Sequence, residues 1–248
     1  MTPEALFATL EATWPAARRV ALPPFEIRDG RGGGKRVSAA IATETVADDD
    51  IEAAEHAMAA LGQAPLFMLR RADDPLDGML AARGYRIADP TVIRACPIKA
   101  LTAQRPPPVS AFTIWEPLQI MRDIWAGGGI GAARLEVMNR VTAARTGVLG
   151  RSADKPAGAA FIALHDDIAM VHAVEVRPES RRLGTARHMM LAAAHWAAEQ
   201  GARDIAVAVT EANAAANALY ASLGMPVCAK YHYRIGDSLD DQGRTDGA

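Results

Sequence analysis

Three consecutive prolines, Pro106-Pro107-Pro108, lie near the middle of this chain of 248 residues. Proline lacks a backbone N–H and fixes φ, so neither a helix nor the interior of a sheet can run through such a triplet, and it favours a stiff, extended spacer. The fold must be assembled from a stretch before it and a stretch after it. The sequence is therefore read as α/β (α+β) with two units, residues 1–104 and 112–236, joined by a linker at 105–111 and followed by a polar tail at 237–248. Half of the residues are hydrophobic but only 5% are aromatic, so the cores have to be built from Ala, Leu, Val, Ile and Met.

Charge is even along the chain, with 13 basic and 14 acidic residues through Arg105 and 14 and 15 beyond it. That balance argues against a main role in gripping a phosphate backbone, so no nucleic-acid partner is expected. The first residues, Met-Thr-Pro-Glu-Ala-Leu-Phe, carry acid rather than base and do not read as a secretory leader. No run reaches 18 apolar residues, so no membrane span is expected. Cys96 and Cys228 have no motif spacing, and the reading is cytoplasmic. His188 and His195 stand seven apart with no carboxylate ligand set, so no metal is expected.

Before the prolines, Thr2-Pro3-Glu4 starts a helix over about 3–14, and Asp48-Asp49-Asp50 starts another running to about 61. Runs at 25–28 and 36–42 flank Asp29-Gly30-Arg31-Gly32-Gly33-Gly34 and predict a glycine-rich hairpin. A strand at 65–69, a helix at 75–83 and two strands within 85–98 complete this half. Beyond the prolines, 112–115 is predicted as a strand, with helices over 117–125 and 132–144 on either side of Gly127-Gly128-Gly129-Ile130-Gly131. Strands at 146–151, 158–164 and 168–176 form an antiparallel meander. A helix over 186–200 ends at Gly201, and Ile205, Val207 and Val209 alternate with Ala206 and Ala208, marking a central strand apolar on both faces. A last helix over 214–223 and a strand over 231–235 follow.

The informative stretch is Val176-Arg177-Pro178-Glu179-Ser180-Arg181-Arg182-Leu183-Gly184-Thr185-Ala186, between a strand and the long helix. A turn here aims backbone N–H groups at an anion from the positive end of the helix. Arg181 and Arg182 add full charge, and Gly184, without a Cβ, lets the backbone approach a diphosphate.

Arg181-x-x-Gly184-x-Ala186 after Val176-Arg177-Pro178 resembles the acetyl-CoA loop of the GNAT (GCN5-related N-acetyltransferase) superfamily. Downstream, Asn213-x-x-Ala216-x-x-Leu219-Tyr220-x-x-Leu223-Gly224-Met225 is similar to that family's second block, with Met225 in place of its usual Phe. The resemblance spans about 112–236 and implies a GNAT fold there, with a mixed, mostly antiparallel sheet flanked by helices. The first unit has no such loop and looks like a smaller or degenerate GNAT-like copy, because Pro75 to Tyr85 faintly echoes Asn217 to Met225.

The resemblance further implies acetyl transfer from acetyl-CoA, as co-substrate, to a primary amine on a small molecule, amino acid or peptide. Arg181, Arg182, Leu183, Gly184, Thr185 and Ala186 would cradle the pyrophosphate, and Val174 and Val176 would pair with the pantetheine arm. Tyr220 would protonate the departing thiolate. Asn213 would orient the pantetheine or simply cap its helix. The base stays open between Glu175, which alternation turns toward the cleft, His172, if a bulge changes the parity, and water or a residue elsewhere. The other reading is a fold that binds acyl-CoA or a partner without catalysis.

Overall fold

The computed structural model describes residues 1–70 and 75–236; the polar tail expected at 237–248 lies outside them. The chain opens with α1 (Pro3–Thr13), whose N-cap Thr2 accepts the Ala5 N–H at 3.3 Å. Then come β1 (Arg18–Leu22), β2 (Phe25–Asp29), the single turn α2 (Lys35–Ser38) and β3 (Ile41–Ala42). Next are α3 (Asp48–Ala60), β4 (Leu66–Leu69), α4 (Pro75–Ala82), β5 (Arg86–Pro97) and α5 (Lys99–Thr102). Past the prolines lie β6 (Ala111–Ile114), α6 (Gln119–Gly127), α7 (Ala132–Arg140), β7 (Arg145–Ser152), β8 (Lys155–His165) and β9 (Ile168–Val176). The chain continues through α8 (Thr185–Glu199), β10 (Asp204–Thr210) and α9 (Ala214–Ser222) to β11 (Val227–Ile235).

One mixed sheet of eight strands, in the order β4-β11-β5-β10-β9-β8-β7-β6, spans both sides of the proline run; β1, β2 and β3 form a smaller sheet. The meander β7-β8-β9 is antiparallel, and β10 lies inside the sheet between β5 and β9. Its two apolar faces serve two cores. Ile205, Val207 and Val209 pack under α8 and α9, while Ala206 packs with Leu6, Phe7 and Leu10 of α1. A third core sets Trp125 of α6 and Val137 of α7 on Ala159 and Phe161 of β8, and Trp14 joins it from the first half. The fourth holds α3 and α4 against β2 and β4 through Ile51, Met58, Leu80, Ile27 and Phe67.

Three local expectations are corrected. The two strands expected within 85–98 are one strand, β5, which bends at Asp89 (φ 44) where its pairing with β11 shifts register. Residues 36–40 are not the second arm of a hairpin: β2 does pair with β3, at Phe25↔Ala42 and Glu26↔Ile41, but α2 intervenes. The glycines before α2 dock the segment on α7 instead, since a Cβ on Gly33 would stand 2.6 Å from a Val137 methyl. Strand β1 was not expected, because an edge strand exposed at Arg18, Arg19 and Ala21 shows no apolar alternation to read.

Candidate active site

Strands β9 and β10 run parallel and pair from Ile168↔Asp204 to Val171↔Val207, then part. β10 keeps its pairing with β5 as far as Thr210↔Thr91, so β9 is the strand that turns away. The cause is a bulge. Phe161 of β8 faces His172 and Ala159 faces Glu175, leaving Ala173 and Val174 opposite Ala160, with Ala173 at φ 52. A cavity of about 160 Å³ occupies the wedge, lined from the strands by Val171, His172, Ala173 and Val174 and by Val207 to Thr210.

The bulge changes which side chains share a face. Residues opposite Ala159 and Phe161 lie on the same side of the sheet, so Glu175 and His172 both face α6 and α7 rather than opposite ways. Glu175 nevertheless does not reach the cavity, contrary to the expectation from simple alternation. It is buried beneath Gly128, where a Cβ would stand 2.4 Å from its carboxylate, and it accepts from Arg181 Nη2 at 3.3 Å. The glycine run after α6 is thus a close-packing device over Glu175. Arg181 also donates from Nε to the Val176 carbonyl at 3.1 Å, which seats its guanidinium on the end of β9. Val174 borders the cavity, and Val176 packs against the core under α8.

Beyond β9 a 3-10 turn (Pro178–Ser180) and Arg182 at φ 65 lead to Gly184, the residue before α8, at φ 83. That left-handed conformation is one a side chain rarely adopts. Arg181, Arg182, Leu183 and Gly184 are exposed; Thr185 is buried, and Ala186 packs into the core. A helix leaves its first N–H groups without internal acceptors, so the start of α8 presents donors and positive potential beside two arginines. The loop's arrangement fits a diphosphate.

Across the wedge, the α9 N-cap Asn213 accepts the Ala216 N–H at 3.0 Å, so the cap role is realised, and the same residue borders the cavity. Tyr220, buried on α9, lines the cavity too. Its hydroxyl has no hydrogen-bond partner among the described residues, and burial raises the phenol above the usual tyrosine range, keeping it protonated. Two residues not singled out from sequence brace this helix. Asn217 donates to the Thr210 and Asn213 carbonyls at 2.9 and 3.0 Å, and Arg94 of β5 donates to Asn217 Oδ1 at 3.0 Å and to the Met225 carbonyl at 2.9 Å.

The other end of the cavity is made by the first half of the chain: Trp14, Gly33 to Arg36, Asp89 and Thr91 line it, with Tyr231 and Tyr233 from β11. His172, also buried, is gripped here. Thr13 donates its hydroxyl proton to the Thr9 carbonyl at 2.6 Å, so toward His172 Nε2, 2.8 Å away, its oxygen accepts. Nε2 therefore carries the ring proton, and Nδ1 accepts from Arg36 Nη1 at 3.2 Å. The Trp14 ring lies 5.0 Å from the imidazole. Burial, and then the Arg36 cation, hold His172 well below the usual histidine range.

Residues 123–225 match the model of the Acetyltransferase (GNAT) family. No curated protein matches the chain. Among solved structures, the fold is similar to a GCN5-related N-acetyltransferase from Kribbella flavida, at 20% identity over 96% of each chain with a TM-score of 0.74. It is similar also to a functionally unknown conserved protein from Staphylococcus epidermidis, at 12% identity over 89% of this chain and 94% of that one, with a TM-score of 0.67. A tandem GNAT protein from the clavulanic acid biosynthesis pathway is similar over 86% of this chain and 77% of its own, at 14% identity and a TM-score of 0.58. Among the described residues no helix is long and apolar enough to cross a membrane, and no three His, Cys, Asp or Glu side chains cluster as metal ligands would.

Proposed function

We propose that residues 123–225, a GNAT-family acetyltransferase domain, transfer an acetyl group from acetyl-CoA directly to a primary amine in a ternary complex. The observation that carries this reading is the succession of three features along β9 and its neighbours. The strands part after Val171 and Val207, the start of α8 with Gly184 lies beyond the end of β9, and Tyr220, its phenol kept protonated by burial, lines the cavity between the parted strands. Donors at 182–186 hold the diphosphate, with Arg181 kept in place by Glu175 and the Val176 carbonyl. The backbone of Val174, freed by the bulge, pairs with the pantetheine arm and polarises the thioester carbonyl.

The amine nitrogen attacks that carbonyl, the carbon–sulfur bond breaks, and Tyr220 gives its proton to the leaving thiolate. The amine's proton passes to water in the open cleft. His172 is ill-placed to take it, with both ring nitrogens bonded and a guanidinium 3.2 Å away, and Glu175 is held by Arg181. No covalent enzyme intermediate is required: Cys228 does not line the cavity, and burial pushes the Cys96 thiol up to about 11. Two free cysteines suit the reducing cytoplasm, where we place the protein.

A buried tyrosine that lines the cavity and whose hydroxyl has no hydrogen-bond partner among the described residues favours an enzyme over a module that only binds acyl-CoA. Calorimetric titration with acetyl-CoA, then with free CoA, tests the reading. Saturable binding that Gly184→Glu abolishes supports it; no binding at millimolar acetyl-CoA overturns it.

A further inference from the structure

Arg36 is a cation that no carboxylate among the described residues neutralises. Its Nη1 donates to a neutral imidazole, its other hydrogen bonds go to the neutral phenols of Tyr231 and Tyr233, and its Nε is out of solvent with no acceptor among the described residues. A partly buried guanidinium satisfied only by neutral groups is costly, and an incoming anion relieves that cost. The rest of the wall points the same way. The cavity is lined also by Lys35, which pairs with Asp89 at 3.2 Å, and by Arg134, so three basic side chains border it.

The guanidinium is held for a purpose. Its main chain is fixed where Arg28, itself buried, donates to the Arg36 and Ala39 carbonyls at 3.0 and 2.9 Å. The glycines before it dock on α7, with Arg134 against Gly34. Its side chain is aimed by His172, which is locked in turn by Thr13. The phenols of Tyr231 and Tyr233 hydrogen-bond the guanidinium and each other, neutral partners that hold it in place and leave a hydroxyl proton for an incoming oxygen anion.

We propose that Arg36 docks a carboxylate of the acceptor, so that the substrate is a small molecule bearing both a primary amine and a carboxylate, and that His172 is a positioning residue for that guanidinium. This rests on the acetyl-transfer reading. Arg36 and Tyr220 line the same cavity, whose volume of about 160 Å³ is on the scale of a small acceptor. A planar carboxylate matches the guanidinium fork in two hydrogen bonds.

The test follows CoA release by the full chain with acetyl-CoA and matched acceptors: free α- and ω-amino acids, their carboxamides, and phosphoethanolamine. The expected result is a kcat/KM at least about 100-fold higher for a carboxylate than for its amide, since a site built around a charge rejects the analogue lacking it. Arg36→Gln should remove that preference chiefly through KM, with acetyl-CoA affinity unchanged. His172→Asn, which keeps an acceptor near the Nδ1 position, should retain more of the preference than His172→Leu. Equal or better use of the amides, or preference for phosphoethanolamine, overturns the assignment without any variant.

Calorimetry with free and N-acetylated amino acids in the presence of CoA separates the two readings. Acetyl-CoA binding without carboxylate binding overturns this assignment alone. Carboxylate binding that Arg36→Gln abolishes, in a protein that transfers nothing, upholds the site and overturns the transfer reading.

Discussion

Arg36 Nη1 lies 3.2 Å from His172 Nδ1, and the two residues are 136 positions apart in the chain. The contact exists only while the imidazole is neutral, because a protonated Nδ1 has no lone pair to offer a guanidinium. Burial and Arg36 both depress the His172 pKa, so the folded protein excludes a proton that the unfolded chain takes up below about 6.5. Stability is therefore complete above that pH and falls as pH drops below it, with a slope of at most about 1.4 kcal/mol per pH unit from this group. Urea denaturation from pH 7.5 to 5 should show the decline, and His172→Asn should flatten it. His188, depressed by burial and Arg187, contributes to both proteins and cancels in the difference. Equal slopes would mean that His172 takes up its proton in the folded state without penalty.

Tyr220→Phe keeps the ring that fills the wall beside Asn213 and Ala216 and removes only the proton. Because the hydroxyl has no partner among the described residues to lose, stability should change by less than about 1 kcal/mol. Loss of a general acid should lower kcat by about 100-fold with acetyl-CoA affinity within about twofold of the parent. A weaker affinity with kcat unaltered would assign the phenol to binding.

What the sequence disclosed, and what it hid, divides along physical lines. The loop before α8 was legible because its parts are contiguous: Arg181, Gly184 and Ala186 sit between one strand and one helix, and the glycine falls where φ is 83. The central strand was legible because Ile205 to Val209 are apolar on both faces. The end of the cavity at His172 was not. Thr13, Trp14 and Arg36 meet His172 only through sheet packing across more than 130 residues, and no local period encodes that. The face of Glu175 followed from alternation with Val176, but the parity of His172 relative to it hung on a bulge that no local signal announces, since Ala173, an alanine with no turn signature, takes the bulge conformation at φ 52. The glycine run at 30–34 looked like a hairpin turn for the same reason, its partner being Val137, a residue of the other half.

Gly128 and Gly127 make a paired test of the packing over Glu175. A Cβ on Gly128 would lie 2.4 Å from the Glu175 carboxylate, which is buried and has little room to yield. Gly128→Ala should cost about 1–3 kcal/mol as an overpacked site and, by displacing Glu175 from Arg181, weaken acetyl-CoA binding several-fold. Nothing lies within 4 Å of a Cβ on Gly127, the last residue of α6. Gly127→Ala should therefore be neutral or stabilising by up to about 1 kcal/mol, with affinity unchanged. Equal effects from the two substitutions, measured by thermal unfolding and calorimetry, would remove the role assigned to Gly128.

Asp77 ties α4 of the first half to the last strand. Its carboxylate accepts from Arg234 Nε and Nη2 at 2.8 and 2.9 Å and from His232 Nε2 at 2.8 Å, while Arg234 Nη1 reaches the Tyr85 carbonyl at 2.9 Å. The hydrogen bond from Arg234, followed by the one from His232, lowers its pKa to about 2 against the opposing effect of burial. A depressed carboxylate stabilises the fold above its unfolded value near 3.9, and that contribution is lost as pH falls toward 2. Asp77→Asn should destabilise by about 1–2 kcal/mol at pH 7, as a doubly bonded pair in a half-buried setting does, lowering Tm by about 2–4 °C per kcal/mol. The gap between variant and parent should shrink as the medium is acidified below pH 4. A gap that is constant down to pH 2 would mean that the carboxylate's charge is not what joins α4 to β11.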